Sequence, residues 1–245
     1  MKYLIDADIV AFKAASSCER PIDWGDGMWT LHAYEHEGIE YIKNYLHKIT
    51  SDFGEGEIVM YLTHSENWRK DVLPDYKSNR KDTRKPLILK ALREYIMTEM
   101  DGIMVDTMEA DDLLGITATN EPDCIVVSED KDLNTIPCHL YNPAKDDRVR
   151  IVSVPEADYF HMMQTLTGDA VDGYKGLPRC GPKTAEKILD GCKTLAEMWD
   201  AVVKAYAKQN LNESVALTQA RVARICRADN YDFKTRKVIL WTPPT

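Results

Sequence analysis

Short apolar runs that alternate with helical patterns are the feature that most limits the fold of this chain. Four such runs lie within the first 127 residues, at residues 2–5, 58–62, 102–105 and 124–127. Apolar residues at spacings of three and four predict a helix over 37–53, and further helices are predicted over about 86–100 and from about 109. Alternating strands and helices predict βαβ units and a largely parallel sheet covered on both faces.

Acidic residues follow three of these predicted strands. They are Asp6, Glu109, Asp111, Asp112, Asp130 and Asp132. The carboxyl ends of parallel strands meet at one edge of a sheet, so acids far apart in sequence can gather there. Such like charges repel unless cations neutralise them. Carboxylates without clustered Cys or His favour Mg²⁺ or Mn²⁺ over zinc.

A basic segment precedes most of these acids. Residues 69–93 carry nine Lys or Arg against three Asp, whereas residues 101–132 carry ten acids and one base. The net charge of −9 would by itself argue against nucleic acid as a partner, but the acidic excess within 101–132 equals that whole charge. The basic segment therefore keeps its local field. The pattern indicates a metal-dependent enzyme that acts on a phosphate polymer.

The remaining composition limits where the protein acts. No apolar run has the length of a membrane span, and the N-terminus becomes acidic too early for a secretory signal. Six dispersed cysteines without a Cys-x-x-Cys pair indicate reduced thiols. We therefore expect a cytoplasmic protein that does not contact membranes.

The chain changes character near residue 153, after which helical patterns dominate. Asp169 and Asp172 form another acidic pair, and residues 173–185 pack three Gly and two Pro into a tight link between helices. The tail at 238–241 is expected to return as a strand or to pack on the first domain. These patterns predict domains at 1–152 and 153–245.

Five motifs occur in the order seen in flap endonucleases. They are Leu4–Asp8, Tyr76–Arg80, Glu109–Asp112, Ser128–Asp132, and Gly168–Gly173 followed by Gly181–Ala185. The chain resembles the bacteriophage 5′-to-3′ exonucleases of this family, which also resemble the 5′-nuclease domain of bacterial DNA polymerase I. The resemblance implies an α/β fold: a PIN-like, mostly parallel twisted sheet flanked by helices, with a helical arch over about 77–100. It also implies a helix-three-turn-helix at about 168–192 in the helical C-terminal region.

The resemblance also implies roles for individual residues. Two Mg²⁺ or Mn²⁺ ions would be held by Asp6, Glu109, Asp111, Asp112, Asp130, Asp132, Asp169 and Asp172, with Asp8 as a further candidate. Lys77 and Arg80 would contact the scissile phosphate. DNA would be contacted by Tyr76, Lys81, Arg84, Lys85, Gly176, Arg179, Gly181, Lys183 and Thr184. A K⁺ ion is expected at the helix-three-turn-helix, and Trp68 and Tyr174 are either base-stacking or half-buried aromatics.

The activity that the resemblance implies is 5′-to-3′ exodeoxyribonuclease and flap endonuclease action. Its substrate would be duplex DNA with a 5′ end, nick or flap, with or without an RNA primer, in phage replication, recombination or primer removal. A monomer in the bacterial host cytoplasm is expected. Two departures from the family stand out: Thr63-His64-Ser65 lies where an acid is usual, and Arg179-Cys180-Gly181 lies where Gly-hydrophobic-Gly is usual.

Two other functions are compatible with parts of the sequence. Asp6-Ala7-Asp8-Ile9-Val10 also fits the nucleophile motif of haloacid dehalogenase phosphatases, which would form a phosphoaspartate at Asp6. A nucleic-acid-binding protein without catalysis would tolerate neutralised carboxylates. The full set of acids argues against that last alternative, since unused like charges in one site are costly.

Overall fold

A computed structural model describes residues 1–80, 83–121 and 123–244. Its strands are β1 (Lys2–Asp6), β2 (Arg20–Asp23), β3 (Trp29–His32), β4 (Glu57–Tyr61), β5 (Cys124–Val127), β6 (Cys138–Tyr141), β7 (Arg150–Val152), β8 (Tyr231–Asp232) and β9 (Lys237–Val238). Its α-helices are α1 (Ala7–Ser17), α2 (Glu35–Phe53), α3 (Arg69–Val72), α4 (Leu89–Glu99), α5 (Ala110–Asn120), α6 (Val154–Thr167), α7 (Pro182–Leu189), α8 (Leu195–Ala207) and α9 (Glu213–Ala223).

The central sheet has the strand order β4-β1-β5-β6-β7. The first four strands are parallel and β7 is antiparallel to β6, which confirms the predicted mostly parallel α/β fold. Asp6 is in register with Tyr61 at the end of β4, and Ile5 with Val127 at the end of β5. The register therefore brings the carboxyl ends of three strands to one edge.

The run at 102–105 is not a strand, so that prediction was wrong. Ile103 forms one isolated parallel bridge with Tyr61. Its N–H donates to the carbonyl of Met60, its carbonyl accepts from Leu62, and the chain then turns before Met108. The apolar run therefore makes a single bridge and does not continue as a ladder, and Ile103 remains 40% exposed.

Helices α1, α2 and α4 cover one face of the sheet. Small residues such as Ala11 and Ala14 let α1 lie close to the strands, and Leu92 and Ile96 of α4 are fully buried in the same core. The later part of the predicted arch is thus core helix. For residues 77–88 the helical arch remains a prediction. Lys81 belongs to this stretch but lies outside the described residues.

Helix α6 begins beside the predicted boundary at residue 153. Ser153 caps α6, forms a capping box with Glu156, and Pro155 lies in the first turn. The later residues Ile225 and Cys226 return to pack against Leu114 in the second core of the N-terminal region. The two predicted domains therefore share buried contacts.

The tail contacts both regions, since Val238 packs against the second core of the N-terminal region and Trp241 is buried in the C-terminal core. Lys237–Val238 pairs with Tyr231–Asp232, and the Trp241 ring lies 5.1 Å from His161 and 5.2 Å from Trp199. All six cysteines are free thiols. Within the described ranges, no helix has both the length and the apolar character needed to cross a bilayer.

Candidate metal centre

A cavity of about 300 Å³ lies at the carboxyl ends of β1, β4 and β5. It is lined by Asp6, Asp8, Ile9, Thr63, Lys77, Arg80, Glu109, Ala110, Asp111, Asp130 and Asp172. Five of the eight predicted metal ligands and both predicted phosphate contacts are therefore brought together. A larger cavity of about 400 Å³ lies beside Tyr159 and Cys192, but no predicted site residue lines it.

Asp6 is held in place by the start of α1. It caps the helix by accepting from the Ile9 N–H at 3.3 Å, and its other oxygen accepts from Ser128 Oγ at 2.8 Å. Burial raises the pKa of Asp6 to about 6, although the Ser128 and Ile9 hydrogen bonds oppose the shift. Both oxygens are thus anchored at the cavity wall.

Asp111 is an acid in the cavity whose ionised form is strongly disfavoured by its surroundings. Burial, together with nearby Asp6 and Asp130, raises the pKa of Asp111 well above its ordinary value. Such a carboxyl either keeps a proton or gains a cation. The cavity therefore has the electrostatics of a cation site.

Glu109 and Asp172 are partnered by protein cations. Lys77 Nζ lies 2.5 Å from Glu109 Oε1 and 3.6 Å from Asp172 Oδ2, and Arg80 pairs with Asp172. Burial opposes the charge on Lys77, but Glu109 and Asp172 raise its pKa overall. Burial likewise opposes the charge on Glu109, whose pKa is nevertheless lowered by Arg69 and Lys77.

Asp132 lies at the edge of the cluster. With Glu109, Asp111 and Asp172 it lines an adjoining space of about 20 Å³. Burial, followed by Asp130, raises its pKa to about 7, and its Oδ1 accepts from Gln164 Nε2 at 2.6 Å.

The other two predicted ligands line neither the cavity nor the adjoining space. Asp169 accepts from Lys131 Nζ at 2.8 Å. Asp112 is fully buried and forms an ion pair with Arg69. As the side chains lie, these two carboxylates are held by basic side chains outside the cavity, and the cluster of eight acids stays a prediction.

The donor set fits a hard divalent cation, since only carboxylate oxygens and Thr63 offer ligands around the cavity. As the side chains lie, no three His, Cys, Asp or Glu residues of the described ranges converge on one coordination point. Lys77, Arg80 and Lys131 hold several of the carboxylates instead. A cation would draw these acids away from their present basic partners.

Comparison with known proteins identifies the family. The model for the 5′-3′ exonuclease N-terminal resolvase-like domain matches residues 1–156. The chain belongs to this 5′-3′ exonuclease family. The exodeoxyribonuclease of enterobacteria phage T3 is 29% identical over 98% of this chain and 92% of the relative, and the exonuclease of Escherichia phage T7 is 29% identical over 98% and 93%.

Two solved structures share the fold of this chain. The bacteriophage T5 flap endonuclease, solved with DNA and metal ions, has a TM-score of 0.63 at 14% identity and covers 91% of this chain and 88% of that one. The catalytic core of Rad2 with a DNA substrate has a TM-score of 0.54 at 12% identity over 85% and 66%. Both likenesses extend into the C-terminal region, beyond the matched family domain.

Family membership favours the nuclease over the phosphatase. The exonuclease family model covers residues 1–156, which include the Asp6-Ala7-Asp8-Ile9-Val10 motif that also fitted a phosphatase. The haloacid dehalogenase alternative is therefore set aside in favour of the exonuclease family.

The exonuclease's predicted aromatic contacts need correction. Tyr76 is buried at 3% exposure, and its hydroxyl donates to Glu109 Oε2 at 3.1 Å and Asp172 Oδ2 at 3.0 Å. Trp68 and Tyr174 are buried as well. These rings have no exposed face for a base, so Tyr76 is a wall of the site and not a DNA-stacking residue.

The helix-three-turn-helix residues divide into buried and exposed groups. Gly176 is buried, its N–H donates to Gln219 Oε1 at 2.8 Å, and a Cβ there would lie 2.3 Å from the Gly168 nitrogen. The Gly176 amide is therefore structural and not a DNA contact. Gly181, Lys183 and Thr184 are exposed at the start of α7, and Arg179 is exposed with a left-handed φ of 59°.

The basic segment is tied to Glu19, which lies just after the end of α1. Both Arg84 Nη atoms donate to Glu19, at 2.8 and 2.6 Å, while Lys85 is exposed. Lys81, also predicted to contact DNA, falls outside the described residues.

After β4 the chain has Thr63-His64-Ser65, where the family usually has an acid. His64 is turned out of the cavity, where its Nδ1 accepts from the Glu66 and Thr107 N–H groups at 3.2 Å. Asp8 lies beside Thr63 instead, accepting from its N–H at 2.8 Å, and pairs with Arg93. Sequence reasoning missed Arg93 and Arg69, because nothing in a run of basic residues marks which one is buried.

Proposed function

We propose that this protein is a divalent-metal-dependent 5′-to-3′ exodeoxyribonuclease that also cuts flapped duplex DNA. The observation that carries the proposal is one cavity in which Asp6, Asp111 and Asp130 face the cations Lys77 and Arg80. Membership of the 5′-3′ exonuclease family supports the direction of attack. The names of the T3 and T7 relatives, exodeoxyribonuclease and exonuclease, support the class of reaction.

In the proposed mechanism, Asp6, Asp111 and Asp130 would hold two Mg²⁺ or Mn²⁺ ions, and Glu109 and Asp172 would join them. Bound divalent ions would lower the pKa of an attacking water and offset charge on the scissile phosphate. Lys77 and Arg80, released from Glu109 and Asp172, would donate hydrogen bonds to phosphate oxygens as charge develops. The product would carry the phosphate at its 5′ end.

The DNA would approach from two sides. Exposed Lys183 and Thr184 at the start of α7, with Arg179 before it, would hold the duplex through its phosphates. A K⁺ ion held by this loop would add to its attraction for the phosphates. Arg84 and Lys85 would line the path of a 5′ end toward the cavity. We propose a monomer that acts in the bacterial cytoplasm.

One assay set tests the central proposal. Duplex, flap and single-stranded DNA, labelled separately at the 5′ and 3′ ends, are incubated with Mg²⁺ or EDTA. The wild type is compared with Asp130→Asn and with Asp147→Asn, a matched control at an exposed position. We expect Mg²⁺-dependent release from 5′ ends and cleavage of flaps, lost in Asp130→Asn and kept in Asp147→Asn.

Each part of the proposal can fail separately. Cleavage that persists in EDTA, or full activity in Asp130→Asn, would rule out the metal mechanism. Release only from 3′ ends would rule out the 5′-to-3′ direction. Cleavage of single strands with no response to duplex or flap would rule out the proposed substrate form.

A further inference from the structure

Arg69 is a buried cation directly behind the metal centre. It is 2% exposed, and its guanidinium makes five hydrogen bonds. Nη1 donates to Glu109 Oε2 at 3.0 Å and to Asp112 Oδ2 at 2.7 Å; Nη2 donates to Asp112 Oδ1 at 2.8 Å and to the Arg224 carbonyl at 2.7 Å. Nε donates to the Val222 carbonyl at 2.9 Å. The number of bonds equals the number of N–H groups that an arginine has.

Asp112 is saturated by these neighbours. Besides the Arg69 fork, its oxygens accept from Trp68 Nε1 at 2.9 Å, the Cys226 N–H at 3.0 Å and the Glu109 N–H at 3.4 Å. Arg69 is the strongest influence that lowers the pKa of Asp112 against the effect of burial. A bidentate arginine pair with every lone pair engaged leaves Asp112 without a free oxygen for a cation.

Glu109 is divided between two cations. Its Oε2 accepts from Arg69 and from the Tyr76 hydroxyl, whereas its Oε1 points to Lys77 at the cavity. Fixing one oxygen on the buried side determines the direction of the other. Arg69 is therefore placed to set the orientation of a predicted metal ligand without touching an ion.

The far side of Arg69 is formed by the end of α9. The carbonyls of Val222 and Arg224 lie at or just after the last turn of this helix, where unpaired carbonyls favour a cation. A C-terminal segment thus contributes to the support of the metal centre, although it lines no part of the 300 Å³ cavity.

We propose that Arg69 is a positioning residue for the metal centre, held by Asp112 and by the end of α9, and that Asp112 serves Arg69 instead of binding an ion. This inference rests on the proposed metal-dependent function. It divides the Glu109-Ala-Asp111-Asp112 motif into two parts: Glu109 and Asp111 face the cavity, and Asp112 faces Arg69. The helical offset of about 100° between Asp111 and Asp112 makes that division possible.

The test compares neighbouring isosteric variants of the full chain. Mn²⁺ binding is measured by electron paramagnetic resonance titration, and thermal unfolding is followed without metal. Asp111→Asn is expected to weaken Mn²⁺ binding by about tenfold or more while the unfolding midpoint stays equal or rises, because a repulsive charge is removed. Asp112→Asn is expected to lower the midpoint by more than about 5 °C, with less than about threefold loss of Mn²⁺ affinity.

Arg69→Lys separates positioning from plain stabilisation. Lysine keeps the charge but cannot hold Glu109, Asp112 and two carbonyls together. We expect Mn²⁺ affinity to fall about two- to fivefold at temperatures where the variant is fully folded. The cleavage rate at saturating DNA should fall more than the affinity for DNA measured in Ca²⁺.

The results that would overturn the inference are distinct from those that overturn the function. Equal Mn²⁺ losses in Asp111→Asn and Asp112→Asn would make Asp112 a ligand and reject the inference alone. A destabilised Arg69→Lys with unchanged Mn²⁺ affinity would reject the positioning role. If Arg69→Lys does not fold, the two aspartate variants still decide the assignment of Asp112. If the wild type binds no Mn²⁺, the proposed function fails and this inference fails with it.

Discussion

The Nζ atom of Lys77 lies 2.5 Å from Oε1 of Glu109. The Lys77 backbone has a left-handed φ of 55°, and its N–H donates to the Asp172 carbonyl at 2.8 Å, so the side chain starts from a constrained position. A cation in this place neutralises buried carboxylates. It can turn to a phosphate once those carboxylates have another cation, which links metal binding to substrate contact.

Lys77→Met should therefore show two effects. Without divalent ions the unfolding midpoint should fall, since Glu109 loses a partner while buried, and Mg²⁺ should restore part of it. With Mg²⁺, single-turnover cleavage should slow by about a hundredfold or more, while DNA affinity in Ca²⁺ changes less than about fivefold. Lys145→Met, at an exposed position, is the control. Equal losses in rate and affinity would make Lys77 only a phosphate anchor.

Tyr76→Phe tests the burial of this ring. The variant loses hydroxyl bonds to Glu109 and Asp172, which should lower the free energy of unfolding by about 1–2 kcal/mol and slow cleavage at saturating DNA. Affinity for a single-stranded 5′ end should not change, because the ring is 3% exposed. Weaker binding of the 5′ end with an unchanged saturated rate would instead place Tyr76 against DNA.

Metal affinity should depend on pH between about 5 and 7.5. The raised pKa values of Asp6, about 6, and Asp132, about 7, mean that the folded protein keeps these protons below that range. A cation must displace them, so Mn²⁺ affinity should rise with pH by up to about tenfold per unit for each displaced proton, then level off. Mn²⁺ titrations at pH 5.5, 6.5 and 7.5 check this. In Asp132→Asn, the increase of affinity at the upper end of this pH range should be smaller. A flat wild-type profile would contradict the expectation.

The same two carboxyls affect the stability of the metal-free protein. Their folded pKa values lie above those of an unfolded chain, near 4, so the folded state binds more protons between about pH 4 and 7. Their contribution to stability is therefore lost as pH rises through that window. Asp132→Asn should reduce this loss of stability with rising pH, as measured by thermal unfolding of the metal-free protein across the same pH range.

Arg179→Gly tests the non-glycine residue in the loop that we propose binds duplex DNA. Arg179 adopts a φ of 59°, a conformation that favours glycine. Relief of that strain, partly offset by a freer unfolded chain, should raise the free energy of unfolding by up to about 1 kcal/mol. Loss of a phosphate contact should weaken duplex binding and lower its salt dependence by about one ion. Arg179→Lys should keep most of the DNA affinity; equal affinity in all three proteins would exclude the phosphate contact.

Local patterns were sufficient for much of the framework. The helix predicted over 37–53 is observed as Glu35–Phe53, and the run at 124–127 as Cys124–Val127. Periodicity reports which side of an element is buried, and that property is encoded in neighbouring residues. The sequence also predicted that Asp6 and Asp130 lie close together, because parallel strands place their carboxyl ends at one edge of the sheet.

The partners of individual side chains depended on contacts between distant segments. The run at 102–105 resembles a strand by composition, yet it finds only one bridge partner at Tyr61. Tyr76 is polar at one end and apolar at the other, so its sequence fits a DNA contact and a buried wall equally well. Burial in the assembled core decided between them.

The sequence by itself determined the parallel sheet, the acids at its edge and the family, because strand and helix periods and ordered motifs are local properties. Only the tertiary structure decided that Asp112 belongs to Arg69 while Asp111 belongs to the cavity. Arg69, Asp112 and the carbonyl of Val222 come from separate parts of the chain. The distances in the folded core decide which basic side chain neutralises each buried carboxylate. The order of acids within a motif does not encode those distances.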